Sequence, residues 1–107
     1  RQYRSDQPNG DGLKPLEGAA LAKETTMLGD AQEEWLMHGL LASQSTWNIL
    51  GQQVMMARVD RAAGDERKFS MDQWGGYDVA RTRLLRFFEE RRIPNPIVLT
   101  GDIHSNW

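Results

Sequence analysis

Asn95-Pro96-Ile97-Val98-Leu99-Thr100-Gly101-Asp102-Ile103-His104-Ser105-Asn106-Trp107 is the stretch from which the fold is read. A breaker pair, a β-branched apolar run and a glycine, followed at once by Asp102 and His104, describe a buried strand with two metal-competent side chains at its C-terminal tip. Side chains alternate along a strand, so if the extended conformation continues through Ile103, Asp102 and His104 point to the same side. A carboxylate and an imidazole converging there are the donors a hydrolytic cation site uses. Taken alone, Gly-Asp-x-His is a weak motif, and a buried histidine is more often a hydrogen-bonded core residue than a ligand. Its position at a strand tip is what raises its weight.

Working outward, Tyr77 and Asp78 open a helix whose apolar stripe is Ala80, Leu84, Phe87 and Phe88. Arg81, Arg83, Arg86, Glu89, Glu90, Arg91 and Arg92 form its wet side, and the cationic last turn suits the helix dipole. Pro94 and Pro96 bound its end. The same order occurs once before. Asp30 with Glu33 three residues on has the form of a capping box, and Trp35, Leu36, Gly39, Leu40 and Ser43 give a stripe for a helix over 31–43. His38 falls off that stripe and is read as a surface residue. After a short link, residues 47–54 read as a strand with a glycine near its end. An α-β-α-β order with short links predicts an α/β fold with parallel strands, their tips on one edge. Ligands of open α/β sheets bind at that edge, where Gln52 and Gln53 meet Asp102 and His104.

Between the two units, Met55 to Gly76 is long for a connection and leaves from the same edge, as a functional cover would. It carries Arg58, Asp60, Asp72 and Trp74. Against that, Met55, Met56 and Trp74 are residues that usually pack in a core, and Asp65-Glu66-Arg67-Lys68 has the character of a solvated turn. Residues 1–27 are irregular, with turn formers at Gln7-Pro8-Asn9-Gly10-Asp11-Gly12 and room for a turn or two of helix in Ala19–Glu24.

Composition limits the function. With 13 Lys and Arg against 15 Asp and Glu, no basic field argues for a nucleic-acid partner. No cysteine is present, so neither disulfides nor thiolate ligation arises within the chain. No signal peptide and no apolar run of membrane-spanning length is found. At 107 residues the chain has the size of one domain at most, and Trp107 falls inside an apparent motif, so an incomplete domain over 1–107 is expected.

Arg1-Gln2-Tyr3-Arg4-Ser5-Asp6-Gln7-Pro8, Thr26-Met27-Leu28-Gly29, Gln32 with Trp35-Leu36, Trp47-Asn48, Gln52-Gln53-Val54-Met55-Met56, Ser70-Met71-Asp72-Gln73-Trp74 with Gly76-Tyr77, and the closing Leu99 to Trp107 block together resemble the alkaline phosphatase D (PhoD-type) family. That family is similar to the calcineurin-like metallophosphatases. Several blocks in the right order make the resemblance more specific than any one motif.

The resemblance implies part of a metallophosphatase-like α/β sandwich. It also implies an exported enzyme, often twin-arginine-targeted, that hydrolyses phosphate mono- and diesters, with calcium and iron as its metals. Asp102 and His104 become expected metal ligands and catalytic residues, and Gln53 an expected substrate neighbour. Arg1 joins them because a guanidinium can meet phosphate bidentately, and Asp72 and Trp74 because their segment leaves from the catalytic edge. The remaining ligands would belong to an N-terminal part of the catalytic domain. In the wider superfamily, histidines stand where this chain has Gln52-Gln53, so proximity to the site carries over to Gln53 but ligation does not. A different class of function also fits the residues: a non-catalytic α/β interaction module in which His104 is structural.

Overall fold

The computed structural model of the chain describes residues 2–102. Its elements run β1 (Leu13–Lys14), α1 (Asp30–Ala42), β2 (Asn48–Gln52), β3 (Phe69–Ser70), α2 (Asp78–Glu90) and β4 (Pro96–Thr100), with single 3-10 turns at Gly18–Leu21 and Trp74–Tyr77. The expected α-β-α-β order is present. β2 and β4 pair in parallel, Asn48 opposite Pro96 through Gln52 opposite Thr100. β1 and β3 form a separate antiparallel pair.

The parallel register is set at its N-terminal end by two asparagines. Asn48, buried between the strands' starts, donates from Nδ2 to the Pro94 carbonyl (2.8 Å) and from its backbone N–H to the Asn95 carbonyl (3.2 Å). Asn95 returns a bond from Nδ2 to the Thr46 carbonyl (2.7 Å). Asn95 itself has φ +43°, a left-handed conformation that Asn tolerates better than most residues. A one-residue slip would break all three bonds and turn Leu50 and Val98 away from the core they pack against.

That core is built where α2, the Trp74–Tyr77 turn and the exit of β2 meet. Tyr77, Ala80, Leu84, Phe88 and Trp74 are all buried, with Val54, Met56 and Leu40 against them. The α2 stripe is the expected one. Its end is not, because the helix stops at Glu90 and the two arginines lie beyond the last turn. Arg92 takes φ +50°, its N–H bonds the Glu89 carbonyl (3.1 Å) and the Ile93 N–H bonds the Phe88 carbonyl (3.0 Å). These are the paired bonds of a Schellman ending, closed by buried Ile93.

α1 departs further from expectation. Its N-cap is Gly29 (φ +74°), whose carbonyl accepts from the Glu33 N–H at 3.0 Å, and no side chain caps the helix. A side chain on Gly29 would also strike the Tyr3 carbonyl at 2.8 Å. The Glu33 carboxylate, expected to close a capping box, instead receives both arms of the Arg83 guanidinium, Nε at 2.5 Å and Nη2 at 2.8 Å. Glu33 is only 8% exposed, so this bidentate bond ties α1 to α2 from a largely dry position. The inward line of α1 is therefore buried Glu33 and Leu40 with half-buried Leu36 and Met37, and Trp35 is turned outward, 71% exposed.

The two ends of the Met55 to Gly76 segment pack inward, while most of residues 57–67 between them are exposed. Met55, Met56, Met71 and Trp74 are buried, as is Tyr77 just after them, and Gly76 lies so close to Met71 that a Cβ would meet its Cα at 2.6 Å. The N-terminal segment is laced onto it by polar bonds. Tyr77 donates its hydroxyl to the Ser5 carbonyl (2.9 Å), and burial raises the phenol above its ordinary pKa, keeping that donor protonated.

Candidate active site

β2 was expected to run to Val54 but ends at Gln52, and the reason lies in one side chain. Gln52 falls on the same inward face as Asn48 and Leu50, so its amide must find partners there. Its Oε1 accepts from the Trp74 indole N–H at 2.9 Å. Its Nε2 donates to the Val54 carbonyl, pulling the chain into a bend directly after the strand. Beyond that bend the parallel ladder makes one more connection, from the Gly101 N–H to the Gln53 carbonyl at 3.2 Å. The tip of β4 is thus fixed to the exit of β2 immediately before Asp102.

Asp102 is exposed and takes φ +58°. The expectation that the extended conformation carries on through the tip is therefore corrected at Asp102, where the chain turns left-handed. Asp accepts this conformation more readily than most residues, at a cost of about 1 kcal/mol. His104 and Arg1 lie outside the described residues.

The other candidate positions divide. Gln53 lies at the tip, joined to Gly101 through its backbone while its side chain is exposed. Trp74 reaches the same edge through Gln52, but its ring is 2% exposed and belongs to the core. Asp72 is bound to the N-terminal segment: Arg4 Nη1 lies 2.8 Å from its carboxylate and 3.1 Å from its carbonyl, and Gln7 Nε2 donates to the carboxylate at 2.6 Å. Those bonds hold residues 4–7 against the chain around Ser70–Tyr77. The structure therefore brings Gln52, Gln53, Trp74 and Asp102 to one edge and leaves Asp72 as part of an adjoining latch.

The carboxylate chemistry of Asp102 suits a hard cation as one ligand among several. Among the described residues no group of three or more His, Cys, Asp or Glu gathers to hold a metal ion. A cleft of about 240 Å³ lies beneath the same edge, between Trp35, Leu36, Ile49, Gln52 and Trp74. Two of the larger grooves, about 680 Å³ along α2 and about 660 Å³ beside α1, mix Lys23, Arg83 and Arg86 with Asp78, Glu33 and Glu34. Arg83 is already committed to Glu33 there. Among the described residues no helix is long and apolar enough to cross a membrane.

Sequence reading placed Gln52 at this edge without assigning its amide. The information was its parity with Asn48 and Leu50, which puts a polar side chain on an inward face, together with an indole donor in the segment that follows.

A strand-tip carboxylate at the C-terminal edge of a parallel pair stands where open α/β sheets bind their ligands, and comparison with known proteins gives the family. The profile of the PhoD-like phosphatases matches residues 1–107, and the chain belongs to that family. It is 40% identical over 107 residues to alkaline phosphatase D of Bacillus subtilis (strain 168), covering 100% of this chain and 18% of that protein. A solved structure of PhoD superposes with a TM-score of 0.93 at 40% identity, covering 100% of this chain and 20% of the other. The chain therefore spans about a fifth of the length of the relatives it matches.

Proposed function

We propose that this chain is part of the catalytic domain of a metal-dependent phosphoesterase that hydrolyses phosphate mono- and diesters and releases inorganic phosphate from the monoesters. The observation that carries the reading is the β4 tip: Gly101 held by the Gln53 carbonyl, followed by Asp102 at φ +58°, in a member of the PhoD-like phosphatase family. A carboxylate in a sparsely populated backbone conformation at the C-terminal edge of a parallel pair supports this reading, because such conformations cluster at functional sites and ligands of open α/β sheets bind at that edge.

In this reading Asp102 and His104 are two ligands of a cation cluster, calcium and iron by family resemblance, and other parts of the enzyme complete it. The cluster, when bound, would neutralise phosphoryl oxygens and activate the attacking water. This chain's residues hold and orient. Asp102 supplies carboxylate oxygen from a pinned backbone, and His104 supplies an imidazole. Arg1 offers a guanidinium to the ester's phosphate, and Gln53 borders the substrate at the tip. Trp74 and Asp72 support substrate binding at one remove, the first through Gln52 and the second by fixing residues 4–7. In the reaction, water's oxygen bonds to phosphorus, the ester P–O bond breaks, and the leaving alcohol takes up a proton. An exported location, periplasmic or extracellular, belongs to the same proposal.

The test is Asp102→Asn and His104→Ala in the full-length enzyme, with metal content by elemental analysis beside hydrolysis of an aryl phosphate mono- and diester. Both variants are expected to lose metal and at least about 100-fold in turnover while remaining folded. Full metal content with near-normal turnover in both would make His104 a packing residue and leave the interaction-module reading standing.

A further inference from the structure

Gln52 ends the inward face of β2, and both ends of its side-chain amide are bonded. Its carbonyl oxygen takes the Trp74 indole proton and its amide nitrogen serves the Val54 carbonyl. Rotating that amide by half a turn would set donor against donor and acceptor against acceptor, so both bonds together select a single orientation. Trp74 cannot follow a rotation, being 2% exposed and packed among Tyr77, Leu84 and Met56. A rigid indole therefore fixes an amide, and the amide fixes the bend at Gln53 and Val54. That bend presents the Gln53 carbonyl to the Gly101 N–H, the last bond before Asp102. Thr100 lies opposite Gln52 in register, so the clamp acts where β4 gives out.

We propose that Gln52, held by Trp74, is a positioning residue for the phosphoesterase site: it sets the exit of β2 so that the Gln53 carbonyl aims the backbone of Asp102. This deepens the function proposed above and rests on it. Polar groups that orient a ligand-bearing residue from behind typically change metal affinity or turnover by about 10- to 100-fold when removed. The geometry predicts an effect of that order at Gln52. It also predicts that the indole N–H, and not the bulk of the Trp74 ring, is what the site needs.

The experiment uses the full-length enzyme with two conservative variants. Trp74→Phe keeps an aromatic ring in the core and deletes the donor. Gln52→Glu keeps an acceptor for the indole and deletes the donor to Val54. Each is expected to lower kcat about tenfold with KM within about twofold, and to release metal at about tenfold lower chelator concentration in elemental analysis of dialysed protein. The thermal midpoint of Trp74→Phe is expected to stay within a few degrees of wild type. The proposal is overturned if both variants retain wild-type kcat and metal retention, and equally if they lose thermal stability while each folded molecule keeps both. Asp102→Asn is measured alongside. If it abolishes metal retention while the two clamp variants keep it, the positioning proposal fails alone; if it keeps metal and turnover, the metal-site reading falls and the clamp's role falls with it.

Discussion

The two helices have the same length, thirteen residues each, and were predicted on the same grounds, yet they meet the core differently. α2 buries Ala80, Leu84 and Phe88 on one line, with Phe87 edge-on to Phe88 at 6.5 Å between ring centroids. α1 buries Glu33 and Leu40, keeps Leu36 and Met37 partly covered, and sends Trp35 and Leu41 outward. The difference comes from charge. An apolar stripe settles which face of α2 is covered. On α1 a bidentate bond to Arg83 turns the helix about its axis until its largest side chain faces away. Apolar pattern alone orients a helix only when no ion pair with a buried partner competes with it.

The largest effect is expected on truncating a buried side chain of α2 beside the exposed tryptophan of α1. In the full-length enzyme Leu84→Ala removes a side chain that is 1% exposed and should cost about 2–5 kcal/mol, as large-to-small core changes do. Trp35→Ala, at a site 71% exposed, should stay within about 0.5 kcal/mol. Urea unfolding of both variants measures this. A Trp35 loss equal to that of Leu84 would mean that further protein covers the outer face of α1, together with Ile49 and Trp47, both more than half exposed.

How far the sequence could be read follows the same division. The strand at 97–100, the α2 stripe and the parallel order were legible because each rests on local periodicity bounded by prolines and asparagines. What failed was decided at long range. Glu33 and Arg83 are 50 positions apart and Gln52 and Trp74 are 22 apart, and no local pattern announces a partner at that distance. The same holds for Arg4 and Asp72, 68 positions apart. At the site, the tip was legible as Gly-Asp after an apolar run. The left-handed turn at Asp102 was not, because alternation assumes that the strand goes on, and only the backbone conformation after the Gly101 bond shows that it does not pass through Asp102.

The ion pair gives the middle-sized test. Glu33→Gln keeps shape and hydrogen-bonding atoms but withdraws the charge from a nearly buried position facing Arg83, whose side chain is 41% exposed. Half-solvated partners are screened, so the expected loss is about 1 kcal/mol and not the larger figure of a fully buried pair. Its chemical cause is consistent with the Arg83 guanidinium being held even more firmly protonated than usual, first by its hydrogen bond to Glu33. Measured by denaturant midpoint, the variant should also show a weaker salt dependence than wild type. An unchanged midpoint would mean that the orientation of α1 is set by packing at Leu36, Met37 and Leu40, and the contrast between the helices would lose its electrostatic cause.

The smallest effect is expected where α2 ends, and it has the opposite sign. Arg92 sits at φ +50° in the C′ position of the Schellman ending, where glycine is the usual residue because no Cβ crowds its carbonyl. Holding an L side chain there costs about 1–2 kcal/mol. Glycine would recover most of that and give part of it back as unfolded-chain entropy. Arg92→Gly should therefore stabilise the enzyme by about 0.5–1 kcal/mol, seen as a higher denaturant midpoint at unchanged slope. Arg91→Gly is the control. Arg91 has φ −86° and ψ −2°, ordinary right-handed geometry, so glycine there adds only flexibility and should be neutral or destabilising. If the two glycine variants moved the midpoint alike, the gain could not be assigned to the left-handed position. The end of α2 would then be held by Ile93 in the core, with the backbone conformation of Arg92 carrying no cost.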